Sequence, residues 1–330
     1  MSESITVDWH RLHGDRFKGF RVLVTGGAGF IGSHLAEALW RLGAQVVVID
    51  DLSGGLRENL RSFGPVEFHE GSILDRELLA KCTRGCRYVF HQAALGSVPR
   101  SVEQPRLYND VNTNGTLNVL EAAREAKAAR VMFAASSSAY GENPVPWVET
   151  MPPMPKSPYA ANKLAGEGLL RAWASSYPPL DTASLRYFNI FGPRQNANSA
   201  YAAVIAAFAS ALLAGRQPTI YGDGSQSRDF TFVANAVQAN LLAAANERPL
   251  CGEVINVGCG GQISVNELAT AMARALGRPD LKPIYQPPRA GDILHSFADM
   301  NRARELLNYQ PIVDFQPGLE QTLAWYKSVM

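Results

Sequence analysis

The sequence has no apolar run approaching the roughly 18 residues that a membrane-spanning helix requires, so nothing in it reads as a transmembrane segment. Its first stretch, MSESITVDWHRLHGDRFKG, is charged and polar throughout and lacks an apolar h-region, so it is not expected to be a signal peptide. Excess charge of either sign is also missing. With 31 Lys+Arg against 30 Asp+Glu the net charge is +1, which offers no basic field for a phosphate backbone, and no nucleic-acid partner is expected. Cysteine is sparse: Cys82, Cys86, Cys251 and Cys259 lack the paired two-residue spacing of a zinc site, and the six histidines are scattered. No metal is expected, structural zinc being the lesser alternative, and the cysteines read as incidental thiols of a reducing cytoplasm. Internal repeats and low-complexity tracts are absent.

What is present is length and alternation. A chain of 330 residues, 46% hydrophobic, can bury a large core as one big domain or two intimately packed ones. From residue 20 to about 190, short β-branched runs alternate with helical stretches, the rhythm of a parallel sheet with helices on both faces. The strand candidates are Arg21–Thr25, Gln45–Ile49, Val66–His69, Tyr88–His91, Val131–Ala135 and Ala183–Tyr187, with helices such as Ile31–Leu42 and Gly115–Ala126 between them. After Phe191 the pattern loosens into Gly/Pro/Asn-rich turns, and a smaller lobe built from discontinuous pieces is expected over 191–330. Within that stretch, Glu253–Val257 reads as a further strand, so the main domain, 19–190, is expected to be rejoined by about 231–258. Ser264–Leu276 reads as a helix with Ser264 as N-cap and Glu267 three residues on. Residues 1–18 are expected to form a mobile N-terminal extension.

The first strand runs directly into Gly26-Gly27-Ala28-Gly29-Phe30-Ile31-Gly32 and an amphipathic helix. Gly26 suits a tight turn, Gly29 lets backbone approach a pyrophosphate, and Gly32 permits close helix packing, with the helix N-terminus facing the negative charge. Glycines also serve ordinary turns, but here the acidic pair Asp50-Asp51 closes the second strand, 24 residues after Gly26. A carboxylate at that place accepts from adenosine ribose hydroxyls and repels the extra phosphate of NADP, so NAD is the expected cofactor.

Tyr159 and Lys163 stand four apart, hence on one face of a helix, and Pro158 suits that helix's first turn. An ammonium beside a phenol stabilises phenolate, so the Tyr159 pKa is expected to fall from about 10 toward neutrality, making it a base. Upstream, the strand Val131–Ala135 ends in Ser136-Ser137-Ser138, which places hydroxyls at the carboxyl edge of the sheet, where ligands of open α/β sheets bind. A YxxxK pair is common on surfaces and a serine-rich turn is common after strands; their order behind the glycine turn and Asp50 is what makes the set specific.

Together, TGGAGFIGSHL, DDLSGG, NTNGTLNVLEAA, SSSAYGE, SPYAANK, LRYFNIFGPRQ, GDGSQSRDF and AGDILHSFADMNRARELL resemble the extended short-chain dehydrogenase/reductase superfamily, and within it the nucleotide-sugar 4-epimerases. The resemblance spans residues 20 to 330 and implies a Rossmann-type doubly wound α/β sheet with a smaller C-terminal substrate-binding lobe. It implies Ser136, Tyr159 and Lys163 as catalytic residues. NAD contacts are implied for Gly26, Gly29, Phe30, Ile31, Gly32, Asp50, Ser72, Ile73, Ala93, Lys163 and Phe188. Where related 4,6-dehydratases carry Thr-Asp-Glu and UDP-glucuronate decarboxylases a glutamate in third place, this chain has Ser136, Ser137 and Ser138. Elimination and decarboxylation thereby lose their expected acid or base, whereas epimerisation needs none.

At the substrate end the resemblance implies that Asn189, Arg228, Arg289 and Asp292 hold a nucleotide diphosphate, the guanidinium forks on phosphates. Gly96, Ser97, Ser136, Asn189, Ala203 and Ser296 would wall the sugar, with Ser137, Ser138, Tyr159, Val204 and Tyr221 completing the substrate contacts. Ser296 is small where relatives restricted to UDP-glucose and UDP-galactose tend to have a bulky tyrosine, so an N-acetyl group should fit. The expected reaction is NAD-dependent inversion at C4 of a UDP-sugar, UDP-GlcNAc and UDP-GalNAc first, UDP-glucose and UDP-galactose also. An epimerase of UDP-uronates, a net oxidoreductase and a non-catalytic NAD sensor remain as alternatives. The resemblance further implies a homodimer through helices of Pro99–Ala126 and Ser157–Tyr177, with Leu117, Leu120, Leu164 and Leu169 as compatible apolar positions.

Overall fold

The computed structural model describes residues 6–196, 204–288 and 293–330. Strands such as Gln45–Asp50, QVVVID, are apolar and β-branched on both faces, and a strand of that kind is stable only with helices packed on each side. Seven of them form one all-parallel sheet. In spatial order it runs Glu253–Val257, Asp181–Tyr187, Arg130–Ser136, Tyr88–His91, Arg21–Thr25, Gln45–Asp50, Glu67–Glu70. Side chains alternate across it: Val22, Val24 and Val48 join one apolar cluster with Leu35 and Leu39, while Leu23, Val47 and Ile49 join the other with Leu120 and Phe133.

Strand order reverses between Arg21–Thr25 and Tyr88–His91, and in open sheets of this kind the crevice above the reversal is the ligand site. All six expected strands before residue 190 are present, with ends shifted by a residue or two, and Glu253–Val257 adds itself beside Asp181–Tyr187, Val257 opposite Tyr187. The helix Val265–Ala275 starts with a capping box, Ser264 and Glu267 bonding reciprocally. The remaining pieces are small: Thr219–Tyr221 pairs with Ile284–Gln286, and Ser227–Arg228 lies between Ile263–Ser264 and His295–Ser296.

The described part of the N-terminal extension is docked, contrary to the expectation of mobility. Asp8 caps a short helix, Trp9–His13, that buries Trp9, and Phe17 is fully buried, packed edge-on against Tyr88 with ring centres 5.9 Å apart. His13 Nε2 lies 2.8 Å from Gln238 Oε1. Two aromatic side chains in a polar stretch supply enough apolar area to order the segment.

Candidate active site

Above the sheet's carboxyl edge lies a cleft of about 1080 Å³. Gly26 sits at φ +67°, and a Cβ there would fall 2.7 Å from Ala93 backbone; a Cβ on Gly32 would fall 2.1 Å from the Gly26 carbonyl oxygen. The turn is therefore closed to side chains at both ends. The helix Phe30–Arg41 starts after Gly29, which has no side chain to cap it, so its N-terminus points at the cleft with Gly26, Gly29, Phe30, Ile31 and Gly32 all on the wall.

Asp50 lines the same wall, is buried, and accepts from the Ala28 N–H at 2.9 Å and the Leu52 N–H at 2.8 Å. Burial pushes its carboxyl above the ordinary aspartate value against the pull of those N–H groups. It thus shapes the glycine turn while each oxygen keeps a further lone pair. Asp51, Ser72, Ile73, Ala93 and Gly96 follow along the cleft.

The strand Arg130–Ser136 delivers Ser136 to the cleft, where its hydroxyl accepts from Ser138 N–H and lies 2.8 Å from Ser138 Oγ; Ser137 and Ser138 line the wall beside it. Ser157 caps the helix Pro158–Ser176, with Pro158 in its first turn, and that helix carries Tyr159 and Lys163 to the same place. Tyr159 and Lys163 thus share the wall with Ser136.

One expectation is reversed. Burial raises the Tyr159 pKa, the Ser136 hydrogen bond only partly opposing it, and Lys163 does not lower it. Lys163 Nζ donates to the Ala134 carbonyl at 2.7 Å, stands 6.0 Å from the Tyr159 ring centre, and is itself lowered to about 7 by burial, with Glu167 pulling the other way. Desolvation dominates because both groups have lost water.

Asn189, Arg228 and Ser296 reach the cleft from the other side. Arg228 Nη1 donates to the carbonyls of Ser227 and Leu294 at 2.8 and 3.2 Å. Val204 and Tyr221 line an adjoining cavity of about 260 Å³ that shares Asn189 and Arg228 with the main one. Two residues sit elsewhere than expected. Phe188 is fully buried, its ring packed on Tyr140 and Trp147, because the side chain after Tyr187 points to the opposite side of the chain. Ser97 does not line the cleft; its hydroxyl caps the helix Val98–Glu103 by accepting from Arg100 N–H. Ala203, Arg289 and Asp292 lie outside the described residues.

Several wall residues were not read from the sequence, among them Gln92, Trp147, Tyr187 and Gln195. Tyr187 donates to Gln92 Oε1 at 3.0 Å, and Trp147 comes from a loop with no periodic signal. A π-helical turn, Asp110–Asn114, was also unforeseen. It aims Asn112 so that its amide bonds both the N–H and the carbonyl of Leu95, pinning the loop behind Gly96.

The model of the NAD dependent epimerase/dehydratase family matches residues 22–258. A UDP-glucose 4-epimerase of Mycolicibacterium smegmatis is 42% identical over 314 residues, 93% of this chain and 99% of its own. The chain belongs to the NAD dependent epimerase/dehydratase family. Among solved structures, the UDP-N-acetylglucosamine 4-epimerase of Methanobrevibacter ruminantium, in complex with UDP-N-acetylmuramic acid, superposes with a TM-score of 0.90 at 42% identity, covering 95% of this chain and 100% of that one. The Thermus thermophilus UDP-glucose 4-epimerase complexed with NAD gives 0.84 at 38% identity, over 94% and 100%.

The residues fit the family's cofactor. A turn that excludes Cβ atoms, a helix N-terminus without a capping side chain and a carboxylate at the second strand's end are what a dinucleotide's pyrophosphate and ribose require. Among the described residues no cluster of His, Cys, Asp and Glu could hold a metal ion, and no helix is long and apolar enough to cross a membrane.

Proposed function

We propose that this protein inverts C4 of a UDP-sugar, interconverting UDP-N-acetylglucosamine and UDP-N-acetylgalactosamine and also accepting UDP-glucose and UDP-galactose. The observation that carries this reading is the cleft's reacting end. Ser136, Tyr159 and Lys163 meet there beside two further hydroxyls, Ser137 and Ser138, rather than beside a carboxylic acid. Proton transfer at one alcohol is within reach of that set; protonating a leaving hydroxyl is not.

Gly26, Gly29, Gly32 and the following helix would hold the NAD pyrophosphate, Asp50 the adenosine ribose, and Lys163 the cofactor's inner end. When bound, NAD supplies the hydride acceptor at C4 and a positive ring that favours phenolate. Tyr159 takes the C4 hydroxyl proton and returns it after the sugar has turned, Ser136 orients that hydroxyl, and Lys163, near neutral in pKa, supplies the compensating charge. Asn189, Arg228, Arg289 and Asp292 serve the nucleotide diphosphate. Ser296 is small and buried, which supports room for an N-acetyl group at C2.

The enzyme is a homodimer in this reading. Leu120 turns into its own core and cannot serve the interface, but Val98, Val102 and Leu107 leave an exposed apolar face on the same helices. Four free cysteines agree with a reducing cytoplasm. The decisive test is to incubate protein with UDP-N-acetylglucosamine, with no added cofactor, and follow the sugar protons by NMR. UDP-N-acetylgalactosamine should appear with the wild type and not with Tyr159→Phe. If neither this sugar nor UDP-glucose is converted, even with NAD⁺ supplied, the proposal fails.

A further inference from the structure

Asp229 is the residue after Arg228, is fully buried, and takes no part in the proton transfer above. Its Oδ1 accepts from Cys259 N–H at 2.9 Å, and its Oδ2 from Gly260 N–H at 2.9 Å and Ala298 N–H at 3.4 Å; the Thr231 hydroxyl lies 3.5 Å from Oδ1. Its own N–H donates to the Ser296 carbonyl at 2.8 Å. One carboxylate therefore joins two stretches distant in sequence, the exit of strand Glu253–Val257 and the strand His295–Ser296 with its continuation to Ala298. Two residues on, Thr231 N–H holds the Asn189 carbonyl at 3.3 Å. Arg228, Ser296 and Asn189, the cleft residues of this wall, all hang from that knot.

Backbone N–H groups gathered on a buried carboxylate are held by its charge, since each bond is charge-assisted and no water can replace it. The space is filled: a Cβ on Gly258 would stand 2.6 Å from Oδ2.

We propose that Asp229 is the positioning residue of the substrate wall, setting Arg228, Ser296 and Asn189 in register for the nucleotide sugar without touching it. The inference rests on reading that wall as the UDP-sugar site. Burial lifts the Asp229 carboxyl to about 6. Of the titratable groups against it, Cys259 is pushed up to about 12 and Tyr309 well above its ordinary value, so both stay neutral. Protonating Asp229 in mild acid removes the charge that holds those N–H groups, so substrate affinity should change with it. His295 of the strand His295–Ser296, whose Nδ1 lies 2.8 Å from Ser227 Oγ, is kept in every variant compared, so the Asp229→Asn comparison isolates the Asp229 contribution.

The test uses Tyr159→Phe protein, which can bind a UDP-sugar without turning it over, and measures UDP-N-acetylglucosamine affinity by calorimetry from pH 5 to 8, alone and with Asp229→Asn added. UDP-glucose replaces it if it does not bind. Asparagine keeps the shape but turns an NH₂ toward backbone donors, so affinity at pH 7.5 should fall about tenfold or more, as for loss of one charge-assisted hydrogen bond. The affinity of the Tyr159→Phe protein should decline below about pH 6, and that decline should vanish in the double variant. In the Asp229→Asn enzyme with Tyr159 intact, KM should rise while kcat stays within about threefold, the mark of lost uniform binding. Unchanged affinity, or a fall in kcat as large as the rise in KM, overturns the inference. Should the variant not fold, a flat pH profile of the Tyr159→Phe protein alone overturns it. Binding without epimerisation by the wild type would instead sink the proposed reaction and leave Asp229 to be judged by affinity.

Discussion

Arg186 and Glu167 meet in a two-pronged ion pair beneath the Tyr159–Lys163 turn, Nε to Oε1 at 2.8 Å and Nη2 to Oε2 at 2.7 Å, with both side chains at most 5% exposed. The Arg186 guanidinium also stacks 4.5 Å from the Tyr140 ring centre. Removing one partner leaves the other charged and dry. Arg186→Met should cost about 3–5 kcal/mol in urea unfolding, and adding Glu167→Leu should recover part of that loss. A double variant less stable than the single one would contradict the account.

Lys163 carries a cost that its role explains. Its pKa falls from 10.5 unfolded to about 7 folded. Between those values the unfolded chain binds the proton more tightly, so stability falls as pH drops from 10.5 to 7 and the penalty is complete below that. Lys163→Met should abolish turnover yet raise unfolding stability at pH 7 by about 1–3 kcal/mol. Destabilisation by this change would count against a buried, strained ammonium.

Gly32 tests the cofactor turn. Its missing Cβ would meet the Gly26 carbonyl oxygen at 2.1 Å, and a backbone atom cannot swing aside as a side chain can. Gly32→Ala should therefore lose bound NAD on purification, and turnover with added NAD⁺ should drop about 100-fold, as for a misplaced reacting centre. Bound cofactor at the wild-type level would show the turn to be more yielding than its contacts indicate.

The N-terminal clasp is a matter of stability. Phe17→Ala empties a fully buried aromatic site and should cost about 3–5 kcal/mol in denaturant unfolding, with kcat and KM unchanged because the segment lies away from the cleft. A loss of activity at full stability would point to a different role.

Mild acid should weaken the fold. His91 is lowered to about 3 and His34 to about 4 by burial, so each stays neutral when folded and charges when unfolded below 6.5. The histidines' contribution to stability is whole above pH 6.5 and is lost as pH falls through this range; Asp229, raised to about 6, opposes the trend because it protonates first in the folded state. Two protons gained against one retained gives a decline of about 1–2 kcal/mol per pH unit between 6 and 5. Equilibrium unfolding at a series of pH values would measure it, and a level profile would refute it.

The alternation of short β-branched runs with helical stretches, the glycine turn and the acidic end of the second strand were legible in the chain, because backbone propensity and side-chain periodicity are local properties. Tyr159 and Lys163 were legible for the same reason, since four residues on a helix make one face whatever surrounds it. What the chain could not announce depends on neighbours far away in sequence. Desolvation decided that Tyr159 is raised rather than lowered, and the sheet's pleat decided that Phe188 faces the core while Tyr187 and Asn189 flank the cleft. Phe17 looks like a stray aromatic in a polar stretch until Tyr88 is set against it. Asp229 reads as one more charge in SRDF; only the folding together of Cys259, Gly260 and Ala298 around it makes it a structural centre, because hydrogen bonds between distant segments exist only once the chain has closed on itself.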